Sequence, residues 1–191
     1  MTSFDSEAYK VVDKEVYRLL DGSEHSREGW PSRGIFLEEC QHLLPPHVSP
    51  LVQNERWNVR QDAEYPVPGF YIVGCRPQEH SITNLSEDDY IQFSTLLRAT
   101  REEMRKQLGI DRVNIYLEEK IDQSHLHIWL MPLWQDVLDR TGLKPRVCEG
   151  NIREYLQLFS FEEEGDRILE YNARMSGALK NRPELMRLGF H

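Results

Sequence analysis

Residues 122–132 read DQSHLHIWLMP. Successive side chains of a strand point to opposite faces, so positions two apart share one. His125, His127 and Trp129 therefore line one face, and Leu126, Ile128 and Leu130 the other. The apolar face is expected to pack on a helix at 86–108. The histidine face is left to line a pocket or meet solvent.

Working outward, the neighbouring segments supply a sheet for this strand. "ERWNVRQD" alternates, with Trp57 and Val59 facing one way. "AEYPVPG" is a turn, and "FYIVGCR" reads as the second arm of a hairpin. Ser86 and Asp89 form an N-cap pair ahead of a helix that turns Tyr90, Phe93, Leu97, Met104 and Leu108 inward and stops at Gly109. "DRVNIYLEE" is the strand before the histidines. The order strand, strand, helix, strand, strand predicts an α+β fold: a mostly antiparallel sheet with a long helix on one face. An N-terminal helix is expected over 6–20, with Tyr9, Val12, Val16 and Leu19 on one side. After residue 135 the pattern turns helical. Asn151 with Glu154 resembles a capping box, and Tyr155, Leu156, Phe159, Ile168, Leu169 and Met175 are spaced to dock on the core. The extreme end is expected to be loose. These readings divide one compact domain into an N-terminal extension (1–53), a core (54–135) and a C-terminal helical appendage (136–191).

Composition narrows the function. The chain has 191 residues, 39% hydrophobic and 29% charged, as ordinary globular proteins have. Its net charge of −9 argues against a protein that coats a nucleic-acid polymer, because such binding rests on many Lys and Arg contacts. A small anionic ligand needs only a local positive patch. Neither a membrane-spanning apolar run nor a secretory leader is evident in the sequence. The three cysteines are widely spaced and form no CxxC pair, which fits reduced thiols and a cytoplasmic location.

Spacing alone leaves three readings of His125 and His127. They can be incidental residues of a half-exposed strand. They can hold zinc, which needs further ligands; His42, His47, His80 and Cys40 are the candidates, and none has ligand-like spacing to the pair. Or one is a nucleophile, since a neutral imidazole has a free lone pair near pH 7 and a neighbouring group can fix its tautomer.

The segment "PVPGFYIVGCRPQEH", then "NLSEDD" opening the helix, "RVNIYLEE" and "QSHLHIWLMP" together resemble the histidine-triad superfamily of nucleotide hydrolases and transferases. The resemblance spans about residues 54–133. It implies an α+β unit, commonly a homodimer, that attacks the α-phosphate of a nucleotide through a nucleotidyl-histidine. His127 matches the nucleophile, His125 the histidine that orients the site, and His80 the one near the phosphate. Asp62 matches the residue that holds the ribose hydroxyls, although the turn after it is one residue longer. Lys120 and Ser124 are candidate phosphate donors, and Gln123 is a further substrate-binding candidate. The implied substrates are dinucleoside polyphosphates, nucleoside phosphoramidates or nucleotide sugars. No cofactor or metal is required. The alternative is a catalytically silent nucleotide-binding or scaffold protein on the same fold.

Two departures stand out. Trp129 replaces the third motif histidine; it offers one indole N–H, a stacking surface, or a plug for the pocket. The loop "EEKIDQ" is short and acidic. Glu118 and Glu119 would repel a phosphate unless they point away, and they read first as a solvated loop. Arg76 and Arg112 are candidate positive charges that read first as surface residues, and Asn114 as a polar group at the start of its strand.

Overall fold

The computed structural model describes residues 49–77, 79–117, 119, 126–144 and 151–191, together with two short strands at 16–18 and 24–26. The main sheet has five antiparallel strands: β3 (Val52–Gln53), β4 (Trp57–Gln61), β5 (Tyr71–Cys75), β6 (Val113–Leu117) and β7 (His127–Pro132). Their spatial order is β3-β4-β5-β7-β6, so the histidine-bearing strand is interior. The α+β architecture matches the sequence expectation.

One face of the sheet is apolar because the strand patterns demand it. Trp57 and Val59 of β4, Tyr71, Val73 and Cys75 of β5, and Ile128 and Leu130 of β7 are buried in a single cluster. The long helix α1 (Glu87–Leu108) covers it with Phe93, Leu96, Ala99 and Met104. Its start is set as expected: Ser86 Oγ accepts the Asp89 N–H and the Asp89 carboxylate accepts the Ser86 N–H. Gly109, at φ 68°, ends it with a backbone conformation that side chains disfavour. Tyr90 is a correction, being 52% exposed rather than inward. The buried stripe is centred on Leu96, Thr100 and Glu103, which leaves Tyr90 on its flank against Phe93, with ring centroids 6.0 Å apart.

Among the described residues four further helices follow: α2 (Gln135–Thr141), α3 (Ile152–Leu156), α4 (Phe161–Lys180) and α5 (Pro183–Arg187). Met175 and Leu179 of α4, Leu185 of α5, and Phe190 join the same cluster as the sheet. Tyr155, Leu156 and Phe159 pack with Val67, Phe70 and Met131 in a second cluster, while Leu169 is half-buried. The Asn151–Glu154 capping box does not form. Asn151 has φ −95° and ψ 10°, outside the extended conformation that folds a cap side chain onto the first turn. Ser160 does cap α4, its hydroxyl accepting the Glu163 N–H.

The chain's end is not loose. Gln53 and His191 exchange both backbone hydrogen bonds, at 3.0 and 2.9 Å, so residue 191 extends the sheet beyond β3. Arg182 fastens this region to α1 through Glu102 and the buried Glu103, whose carboxylate also accepts from Gln107. Burial works against the Arg182 charge, but hydrogen bonds to Glu102, Glu184 and Glu103 outweigh it and raise the pKa.

The expected N-terminal helix is corrected at its described residues. Val16–Arg18 is strand β1, paired antiparallel with β2 (Glu24–Ser26). The sequence between them contains Asp21-Gly22, a hairpin-type pair, and Val16 is β-branched; both favour a strand over a helical turn. The rest of 6–20 lies outside the described residues.

Candidate functional site

The sheet face opposite α1 carries the motif. β7 behaves as its alternation requires: Leu126, Ile128 and Leu130 are buried against α1, and His127 and Trp129 turn to the other side, both half-buried. Register then shows what surrounds them. Gly74 of β5 is the direct partner of His127, and Asn58 of β4 is the partner of Gly74. One row along, Trp129 lies between Ile72 and Tyr116, with Arg60 beyond Ile72.

Gly74 puts no side chain of its own beside His127. A Cβ there would stand 3.2 Å from Asn58 Oδ1, so the Asn58 carboxamide leans over Gly74 toward the His127 row. Asn58 is fully buried and Arg60 is 4% exposed, which makes this part of the face polar and enclosed. Neither residue stood out in the sequence. The signal was present in WNVRQ, where the positions alternating with Trp57 and Val59 are polar.

Trp129 is an aromatic wedge. Its ring meets Phe70 edge-on at 5.4 Å, lies 6.2 Å from the His127 ring, and borders the second cluster. Downstream, the Tyr155 hydroxyl donates to Pro132 O (2.9 Å) and accepts the Trp134 N–H (3.0 Å). That fixes the exit of β7 to α3. Burial is the main reason the Tyr155 phenol is pushed up to about 12.

Asp62 sits at the end of β4, 2% exposed. Its Oδ1 accepts the backbone N–H groups of Glu64 and Tyr65 at 2.8 and 2.7 Å, an Asx-type turn that starts the β4–β5 connection. The same connection needs Gly69, at φ 76°, where a Cβ would collide with Ile110.

His80 is half-buried and lies just before a 3₁₀ turn, Ile82–Asn84. Its neighbours are held on both sides. Glu79 O accepts the Leu126 N–H at 2.6 Å, and Glu119 Oε1 accepts from Ser81 Oγ (2.9 Å) and Ile82 N–H (2.8 Å). Glu119 is thus an anchor rather than a purely solvated acid. Arg76 donates to Asn54 O, and the exposed Arg112 donates to Gln135. His125, Ser124, Gln123, Lys120 and Glu118 lie outside the described residues, as do His42, His47 and Cys40. Among the described residues no three His, Cys, Asp or Glu side chains are grouped to hold a metal ion. No helix there is long and apolar enough to cross a membrane.

No protein-family model matches the chain, and no curated relative does. Solved structures do. A Hit-like protein involved in cell-cycle regulation from Bartonella henselae superposes with a TM-score of 0.51 at 12% identity, over 77% of this chain and 97% of that one. The fold is histidine-triad-like. A zinc-bound histidine triad family protein from Mycobacterium smegmatis has a TM-score of 0.46 at 15% identity, over 75% of this chain and 96% of its own. A hypothetical histidine triad nucleotide-binding protein from Sulfolobus tokodaii has a TM-score of 0.45 at 16% identity, over 76% and 91%. At such identities the likeness is one of fold. On this fold His127 lies on the interior strand β7.

Proposed function

We propose that this histidine-triad-like protein is a nucleotidyl hydrolase or transferase that works through a nucleotidyl-histidine on His127. The observation that carries the reading is the placement of His127 on the polar face of an interior strand, in one row with Gly74 and the buried Asn58 carboxamide that leans over it. A neutral His127 nitrogen attacks the α-phosphorus. The new P–N bond forms as the bond to the leaving group breaks, and the leaving group departs with the bonding electron pair. Water or another acceptor hydroxyl then attacks the same phosphorus, loses its proton to solvent or a nearby base, and restores the imidazole. Splitting one displacement into two lowers each barrier. His80 and Ser124 hold the phosphate, His125 orients the site, and Asp62 meets the ribose. Lys120, Gln123 and Trp129 complete the substrate wall. The reaction as written requires no cofactor or metal.

The proposed assembly is a homodimer. Strand β6 is outermost in the sheet, and its Ile115 and Leu117 are 51% and 41% exposed. An open edge with apolar side chains invites pairing with a second copy. We place the protein in the cytoplasm, acting on small nucleotides rather than nucleic-acid polymers or membranes.

The test is an intact-mass measurement after rapid quenching with diadenosine tetraphosphate or an adenosine phosphoramidate. A nucleotidyl adduct is expected on the wild type and not on His127→Ala. Equal hydrolysis by both proteins would overturn the reading. The packing of Trp129 on Phe70 favours one alternative, a nucleotide-binding protein without turnover. Micromolar nucleotide binding with neither adduct nor product would establish it.

A further inference from the structure

We infer that Glu119 is a positioning residue for His80, holding the segment just after His80 through Ser81 and Ile82. The inference rests on the nucleotidyl-histidine reading. Its basis is a two-ended clamp. At one end Leu126, the residue before His127, donates its N–H to Glu79 O. At the other, Glu119 Oε1 takes the Ser81 hydroxyl and the Ile82 N–H. Residues 79 and 81 bracket His80, and their partners Leu126 and Glu119 are both described residues close to the motif in sequence.

The bonding at Glu119 has a direction. Ser81 Oγ donates to the carboxylate, so it accepts from Thr83 N–H (3.1 Å), and the Thr83 hydroxyl 2.8 Å away donates to it in turn. A hydroxyl chain ending on an anion is polarised along its length. The other end is reinforced as well: Arg56 pairs with Glu79 at 3.2 Å and with Asp89 of α1 at 3.0 Å. Of the two ends, the Leu126–Glu79 link is backbone and survives substitution, whereas the Glu119 link is a side chain and can be removed.

An acid that faced the phosphate would oppose it by charge. The geometry makes the opposite prediction for Glu119, because its charge is directed to Ser81 and Ile82. Glu119 is exposed, so its bonds add little to global stability, and Glu119→Ala is expected to melt with the wild type. Misplacing His80 should nevertheless lower kcat/KM about 10- to 100-fold, since small errors in a reacting geometry are costly. Glu119→Gln keeps the acceptor oxygen and should retain most activity.

The decisive experiment is a double-mutant cycle on kcat/KM. If Glu119 acts through His80, His80→Ala/Glu119→Ala is no slower than His80→Ala. Additive losses, or a Glu119→Ala enzyme as fast as wild type or faster, would overturn the inference. A readout independent of turnover is the NMR signals of the His80 ring. They should shift in Glu119→Ala and much less in Glu119→Gln. Should His127→Ala prove as active as wild type, the nucleotidyl-histidine reading fails, and the His80 signals still decide Glu119; unchanged signals would dismiss it.

Discussion

Gly74 stands directly opposite His127 in the sheet, and it is the one position in that row without a side chain. The strand geometry of Gly74 does not itself demand glycine, so the demand comes from the neighbours. A Cβ would press on Asn58 Oδ1 at 3.2 Å, and Asn58 is fully buried. Gly74→Ala should fold, because the backbone gain of about 0.5–1 kcal/mol offsets the crowding. Gly74→Val should lose about 1–3 kcal/mol through overpacking. Both should bind nucleotide more weakly than wild type, with valine the worse. Urea denaturation and a binding titration check this; undiminished affinity in Gly74→Val would remove Gly74 from the site.

How much of this was legible in the sequence depends on how local the deciding contacts are. The alternation around His127 and the Ser86–Asp89 cap with Gly109 are local patterns, and the structure reproduces them. Glu119 reaches back 38 residues to Ser81, and no periodicity announces such a bond. The ending is similar. Phe190 is a lone aromatic just after Leu188-Gly189, and only its contact with a distant part of the core makes it structural. Strand β1 is three residues long, too short for a period of two to outweigh the helical spacing around it. Asn58 and Arg60 were visible as polar positions, but their burial depends on what the tertiary fold places around them.

Trp129 packs T-shaped with Phe70, ring centroids 5.4 Å apart, lies tilted 6.2 Å from the His127 ring, and is half-buried. If packing is its main work, shape matters more than the indole N–H. Trp129→Phe should then lose only about 1–2 kcal/mol, since the side chain is half-buried and the smaller ring keeps part of the packing, and should hold turnover within about twofold. Trp129→Ala should lose about 1–3 kcal/mol, less than a fully buried aromatic would. A tenfold or greater fall in turnover for Trp129→Phe with no larger loss of stability would instead give the N–H a role at the substrate.

Tyr155 joins α3 to the end of the motif strand, and its folded pKa of about 12 lies above the value near 10 of an unfolded tyrosine. Between these values the folded state holds a proton that the unfolded state has released. The stabilisation is therefore complete below pH 10 and is lost as pH rises toward 12, by about 2–3 kcal/mol at most. Tyr155→Phe removes this dependence and, at neutral pH, costs about 1–3 kcal/mol by stripping partners from Pro132 O and Trp134 N–H. Buried Tyr71, whose pKa is also raised by burial, contributes a slope of the same sign in both proteins. The difference between wild type and Tyr155→Phe across pH 9–12 isolates Tyr155. A difference that stays flat would show that the hydroxyl is exposed to solvent in solution.

Phe190 is 5% exposed in the main cluster, beside Leu185, and His191 pairs by backbone with Gln53 at the outer side of β3. β3 itself has only two residues, so the pairing on its outer side matters for holding this edge of the sheet. Asn54, just after β3, also donates to Leu188 O at 3.0 Å and to Gln92 of α1 at 2.8 Å. Removing the Phe190 ring should thus cost more than a surface change near a chain end. About 3–4 kcal/mol is expected for Phe190→Ala, from lost burial and the cavity left behind. The loss should appear first as faster amide exchange at Gln53 and Leu51, because their strand loses its outer support. Leu185→Ala should behave alike, whereas Met186→Ala, at a side chain 61% exposed on the same short helix, should change stability by less than about 0.5 kcal/mol. If Phe190→Ala matched Met186→Ala in both stability and exchange, the end of the chain would be a tail after all, and the edge of the sheet would have to be held by α1 and β4 alone.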